Sequence, residues 1–222
     1  MSAAALQAVL FDLDGTLIDS APDLAGAAND MRAARGLPAL PYALRRPMVG
    51  SGARGMVGQA FDVDPDDERF SALRDEFLQR YEARMTRETK AFPEVLTLLD
   101  ALDQRRLPWG IVTNKAARYS EPLVAALGLA QRAQVLICGD TTPHAKPHPA
   151  PLLEAARRMG MAPTACAYVG DDQRDVQAGD AAGMVTIAVA WGYLGLGDAI
   201  EAWGATHVIQ SAGELLKRLQ MA

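Results

Sequence analysis

From Trp109 onward, short apolar runs alternate with stretches in which apolar residues recur every three or four positions. The runs predict strands over 109–113, 135–138, 166–169 and 185–190, with a further one over 206–210. The periodic stretches predict helices over 116–127, 149–159 and 174–182, with a closing helix over 212–220. That alternation predicts an α/β fold in which helices cover both faces of a parallel sheet. In open sheets of this kind, ligands bind beyond the carboxyl ends of the strands.

Between Leu17 and Lys90 the pattern changes to helices without strands. Leu24, Ala27, Met31 and Ala34 recur at helical spacing, with Asp19 or Ser20 placed to cap the start and Gly36, ahead of Pro38, to end the helix. Phe70, Leu73, Phe77, Tyr81 and Met85 form a second apolar stripe, on a helix expected to start near Pro65. These stripes read as the core of a helical bundle inserted just after the first strand. The chain is therefore expected to divide into residues 1–16 plus 91–222 and an insert, 17–90, with hinges near 16–20 and 88–93.

A chain of 222 residues, half of them hydrophobic, can bury a sizeable core. Its net charge of −5 argues against the broad basic surface that binds nucleic acid or an anionic membrane. No apolar stretch approaches the ~20 residues that span a bilayer, and Met1–Gln7 lacks the positively charged start of a signal peptide. A cytoplasmic protein is expected; its oligomeric state is not legible. Cys138 and Cys166 lie in apolar runs and read as buried, reduced thiols. Without CxxC spacing no zinc site is expected, and His144 and His148 flank a proline-rich loop instead of sharing a helix face.

The chemistry concentrates at strand ends. Phe11-Asp12-Leu13-Asp14-Gly15-Thr16 sets two carboxylates two residues apart after an apolar run, on one face if strand geometry continues, and a glycine then frees the backbone to turn. Like charges this close repel unless a cation or a shared proton lies between them, which suits a metal site, or a nucleophile beside an acid/base partner. Thr113-Asn114-Lys115 ends a second run in small polar donors able to cradle a phosphate. Lys146, held extended by Pro147, supplies a compact positive charge, and Asp171, Asp172 and Asp175 follow a third run. Gly50–Gly55 satisfies GxGxxG, yet Arg45-Arg46-Pro47-Met48-Val49 before it is no convincing strand, so a dinucleotide site is not expected. The segment reads as a glycine-rich turn into a helix, carrying Ser51, Gly52 and Arg54 toward a substrate, the arginine through its fork of donors.

The ordered set Asp12-x-Asp14-Gly15-Thr16, Thr113-Asn114, Lys146-Pro147 and Gly170-Asp171-Asp172-x-x-Asp175 resembles the four motifs of the haloacid dehalogenase superfamily, over nearly the whole chain. The segments Gly52–Arg54, Trp109–Lys115 and Val169–Asp175 are similar to those of phosphoglycolate phosphatases and of bacterial N-acetylmuramic acid 6-phosphate phosphatases. The resemblance implies a Rossmann-like, doubly wound parallel core with a small inserted α-helical cap. It implies Mg²⁺-dependent hydrolysis, through an aspartyl-phosphate, of a small acidic phosphate ester: 2-phosphoglycolate or, alternatively, the sugar acid phosphate. Asp12 would be the nucleophile and Asp14 the acid, then the base. Thr113 and the Asn114 N–H would bind phosphoryl oxygens, and Lys146 would offset their charge. Mg²⁺ would be held by Asp12, the Asp14 carbonyl and Asp171, with Asp175 and Asp172 ordering its waters. A dehalogenase or phosphonatase departs from the pattern at Asp14, and a phosphoglucomutase usually has Gly-Val in place of Gly15-Thr16. From a different class, a phosphoacceptor signalling module also sets carboxylates, Thr and Lys around Mg²⁺, but it is shorter, has no helical insert and places its lysine last.

Overall fold

The structure, a computed structural model, describes residues 6–221; residues 1–5, part of the segment behind the cytoplasmic expectation, lie outside the described residues. The chain opens with β1 (Ala8–Phe11), β2 (Ile18–Asp19), α1 (Ala21–Ala33), α2 (Tyr42–Arg45), α3 (Gly52–Phe61), α4 (Phe70–Glu82) and β3 (Lys90–Ala91). It continues through α5 (Pro93–Gln104), β4 (Trp109–Val112), α6 (Ala117–Ala126), β5 (Leu136–Ile137) and α7 (Ala150–Met159). It closes with β6 (Cys166–Gly170), α8 (Gln173–Ala181), β7 (Val185–Val189), β8 (His207–Ile209) and α9 (Ala212–Met221).

Six parallel strands form the central sheet in the order β5-β4-β1-β6-β7-β8. Because strand side chains alternate between faces, β1 serves two cores at once. Val9 and Phe11 join the core that includes Leu98, Leu99 and Leu102 of α5 and Leu215 of α9. Ala8 and Leu10 join the other, with Leu152 and Ala155 of α7 and Ala178 of α8. Burial on both faces explains why the strands read as unbroken apolar runs. The sheet reverses its winding about β1, and the carboxyl ends of β1, β4 and β6 converge there, the place where such sheets bind ligands. No helix among the described residues is long and apolar enough to cross a membrane.

Between the two strands of the β2–β3 ribbon, α1, α3 and α4 pack against one another. Leu24, Met31, Met56, Phe77 and Tyr81 are all buried in that packing. Two local expectations need correction, and one helix is new. The helix expected from Pro65 begins at Phe70, because the Asp67 carboxylate accepts the Arg69 N–H at 2.8 Å and its side-chain Nε at 2.9 Å. Such short-range bonds hold a turn in competition with the helix. Of the two residues placed to cap α1, Ser20 makes no side-chain cap, whereas the Asp19 carboxylate accepts the Ala21 N–H at 3.3 Å; the Tyr193 hydroxyl also accepts the N–H groups of Ser20 and Ala21, at 2.8 and 3.1 Å. Helix α5 was not anticipated, although Pro93 at its first turn and Val95, Leu98, Leu99 and Leu102 along one buried face mark it.

Candidate active site

Asp12 follows the last residue of β1, and its N–H still pairs with the Val169 carbonyl at 2.8 Å. The chain then turns at Gly15, whose φ of +87° is open to glycine without strain. A Cβ there, or at Gly192, would collide with the Asp171 carboxylate, so two glycines let backbone press against that acid. Asp12 and Asp14 both line a cavity of about 420 Å³ with Thr113, Asn114, Lys146, Asp171 and Asp175. The segment from Val49 to Ala53, together with Leu24, Phe77, Leu78, Tyr81 and Tyr119, forms the rest of the wall. Ser51 and Gly52 lie in that wall. Arg54 does not: it is exposed on α3 and lines a separate groove with Asp62, Asp64 and Leu196. The reason is helical geometry, which turns Arg54 away from the face that Ala53 presents.

Beneath the cavity Lys146 Nζ meets four oxygens: Asp12 Oδ1 at 2.8 Å, Asp175 Oδ1 at 2.8 Å, the Tyr168 hydroxyl at 2.7 Å and the Val112 carbonyl at 3.0 Å. Burial works against the ammonium, but Asp12 and Asp175 outweigh it and raise its pKa, so Lys146 stays charged. Asp171 accepts from the Thr16 hydroxyl at 2.9 Å and from the Tyr193 N–H at 2.7 Å. Burial pushes Asp12 up to about 7 against the pull of Lys146, and Asp175 adds to the rise. Burial, then Asp12 and Asp175, push Asp171 well above the usual carboxylate range. One oxygen from each of Asp12, Asp171 and Asp175 lies within 4.8 Å of the others. Three carboxylates with a single ammonium leave an excess of negative charge in a buried space, and this donor set fits a small divalent cation.

Four further residues surround this floor. The Thr113 hydroxyl accepts the Lys115 N–H at 3.1 Å, which leaves its own proton free for an acceptor in the cavity. The Asn114 amide clamps the lysine loop, donating to the Lys146 carbonyl and accepting the Lys146 N–H, each at 2.9 Å. The Asp14 carboxylate accepts from Lys115 Nζ at 2.8 and 2.9 Å and from the Ser20 hydroxyl. Asp172 caps α8, taking the Arg174 N–H and guanidinium while Asp175 accepts the Asp172 N–H. Nothing in the pattern of the chain marked Ser20, Tyr168 or Tyr193 as part of the site, and Lys115 stood out only beside the phosphate-cradling Thr113 and Asn114. Lys115 meets Asp14 and Tyr193 meets Ser20 across long stretches of sequence that only the fold brings together, whereas Ser20 and Tyr168 also bond the nearer acids Asp14 and Asp175.

The sequence profile of the haloacid dehalogenase-like hydrolases matches residues 9–189. An N-acetylmuramic acid 6-phosphate phosphatase of Pseudomonas putida is 43% identical over 217 residues, 98% of this chain and 97% of that protein. A phosphoglycolate phosphatase of Xanthomonas campestris is 47% identical over 210 residues, 94% of each chain. The crystal structure of a predicted phosphoglycolate phosphatase from Haemophilus somnus superposes with a TM-score of 0.84 at 27% identity, covering 96% of this chain and 97% of that one.

Proposed function

This chain belongs to the haloacid dehalogenase-like hydrolases, and we propose on that footing that it is a Mg²⁺-dependent phosphatase that acts on 2-phosphoglycolate through an aspartyl-phosphate. The observation that carries the reading is the placement of Asp12 at the cavity floor, with Lys146 on one of its oxygens and two further carboxylates beside it. The free Asp12 oxygen attacks phosphorus in line as the ester bond breaks, and Asp14 gives its proton to the departing oxygen. Asp14 then takes a proton from water as the water opens the acyl phosphate, returning Asp12 and inorganic phosphate. The Thr113 hydroxyl and the Asn114 N–H hold the transferring oxygens, and Lys146 offsets their charge. Asp12, the Asp14 carbonyl and Asp171 would hold Mg²⁺, with Asp175 behind them; the ion supplies charge neutralisation of the phosphoryl oxygens.

In the same reading, residues 17–90 are a cap that closes over the floor, with the β2–β3 ribbon as its hinge. Two arginines fasten it: Arg46 donates to the Trp191 and Gly192 carbonyls at 3.0 and 2.7 Å, and Arg174 donates to the Gly50 carbonyl. The apolar and aromatic wall of the cavity supports a second substrate, N-acetylmuramic acid 6-phosphate, whose ring and acetyl group need such a surface. Phosphate release from a panel of esters tests the proposal. Steady turnover that stops on chelation and returns with Mg²⁺ is expected, whereas a single phosphorylation without turnover would make the chain a signalling module.

The raised carboxyls give a second check. A carboxylate whose folded pKa lies above its unfolded one makes the protein less stable as pH rises between the two values, here from 3.8 to about 7 for Asp12. Metal binding needs the same groups deprotonated. Mg²⁺ is therefore expected to raise Tm clearly at pH 8 and much less at pH 5.5. An equal rise at both values would move the metal away from these aspartates.

A further inference from the structure

Tyr81 lies on α4, is 2% exposed and lines the cavity, yet its hydroxyl has no hydrogen-bond partner. Buried polar groups are nearly always paired, and an orphan on a side chain that lines a cavity asks for a ligand atom. Burial pushes this phenol up to about 12, so the hydroxyl is a donor at neutral pH. Lys115 Nζ sits 5.0 Å from the centre of the Tyr81 ring. Among the described residues the cations lining the cavity are Lys115, Lys146 and Arg174. Lys146 is fully taken up by the four oxygens beneath the floor, and Arg174 by Asp172 and the Gly50 carbonyl. Lys115 donates to the two oxygens of Asp14, lies beside the Tyr81 hydroxyl and keeps donor capacity to spare.

We propose that the Tyr81 hydroxyl and the Lys115 ammonium form a subsite for a carboxylate carried by the leaving group of the phosphate ester. The inference rests on the phosphatase reading above. Asp14, which protonates the departing oxygen in that reading, touches Lys115, so a substituent of the leaving group enters the cavity beside this pair. A cation next to a neutral donor matches an anion that must be held without a second positive charge. Because Tyr81 comes from α4 and Lys115 from the turn after β4, the carboxylate bridges the helical insert and the sheet. The subsite takes over the role expected of Arg54, which lies in another groove. Both a short acid with its carboxylate next to the ester, as in 2-phosphoglycolate, and a sugar acid with its carboxylate beyond the ring, as in N-acetylmuramic acid 6-phosphate, carry the required group.

The test measures kcat/KM for those two esters and for ethyl phosphate, which has no carboxylate, in the wild type, Tyr81→Phe and Lys115→Met. Tyr81→Phe keeps the ring and breaks no hydrogen bond of the folded protein, so it is the cleaner variant. The ratio of the acid's kcat/KM to that of ethyl phosphate is expected to fall roughly tenfold in Tyr81→Phe, mainly through KM, as for loss of one bond to a charged group. A larger fall is expected in Lys115→Met, with partial recovery in Lys115→Arg. Whichever acid loses its advantage identifies the source of the carboxylate. An unchanged ratio for both acids, or a parallel fall on acid and ethyl phosphate alike, overturns the subsite while leaving the phosphatase reading in place. No phosphate release from any ester by the wild type overturns that reading and the subsite with it.

Discussion

Asp12→Asn protein is expected to fold, to keep its cavity and to release no phosphate, with kcat reduced by at least about 10³-fold. The amide is close to isosteric with the carboxylate, and its oxygen can still accept from Lys146 Nζ, now at 2.8 Å from Asp12 Oδ1. What it lacks is the electron pair of a carboxylate oxygen that can form the acyl phosphate. Stability should move in the opposite direction to activity. Burial holds Asp12 up at about 7, so ionising it at pH 8 opposes folding, and removing that charge is expected to leave Tm equal or higher in metal-free buffer. Phosphate release and thermal unfolding on the same preparation decide the matter. Activity above a few per cent of wild type would show that Asp12 is not the nucleophile, and a collapsed Tm would show that its carboxylate holds the fold.

How much of this arrangement was legible in the sequence follows from the range of the interactions involved. The apolar runs that became β1, β4, β6 and β7 are buried on both faces, so composition alone marked them. The motifs stood out because three of them place an acid or hydroxyl directly after a strand, which is a local signal, and the fourth sets Lys146 before a proline in the loop between β5 and α7. The β2–β3 ribbon has only two residues per strand, too few for any alternation to register. Arg54 was misplaced because a glycine-rich turn gives no indication of which face of the following helix meets the cavity. Lys115 was visible only as a neighbour of Thr113, and Tyr81 as one apolar position in a stripe. Their meeting depends on α4 folding back over the end of β4, a contact between residues 34 positions apart that no periodicity encodes.

Lys146→Met is expected to damage both activity and stability, and the pH dependence of the damage identifies its cause. The ammonium is the only positive group bonded to Asp12 and Asp175 among the described residues, and its side chain is 3% exposed. Methionine preserves much of the volume but leaves two buried carboxylates facing each other and Asp171 without a counter-charge. Breaking a buried ion pair by deleting one partner typically costs about 3–5 kcal/mol, most of it from the charge left behind. The linkage sign follows: with the cation gone, the folded pKa values of Asp12 and Asp171 rise further above their unfolded ones, so the folded state binds more protons than the unfolded state and stability falls as pH rises. The urea midpoint should therefore drop strongly at pH 8 and much less at pH 5.5, where the carboxyls can take up protons. Turnover should fall by roughly two to three orders of magnitude, since the developing phosphoryl charge loses a preorganised partner. An equal loss of stability at both pH values would assign the defect to packing around Tyr168 and Val112 instead, and turnover within tenfold of wild type would remove Lys146 from the chemistry.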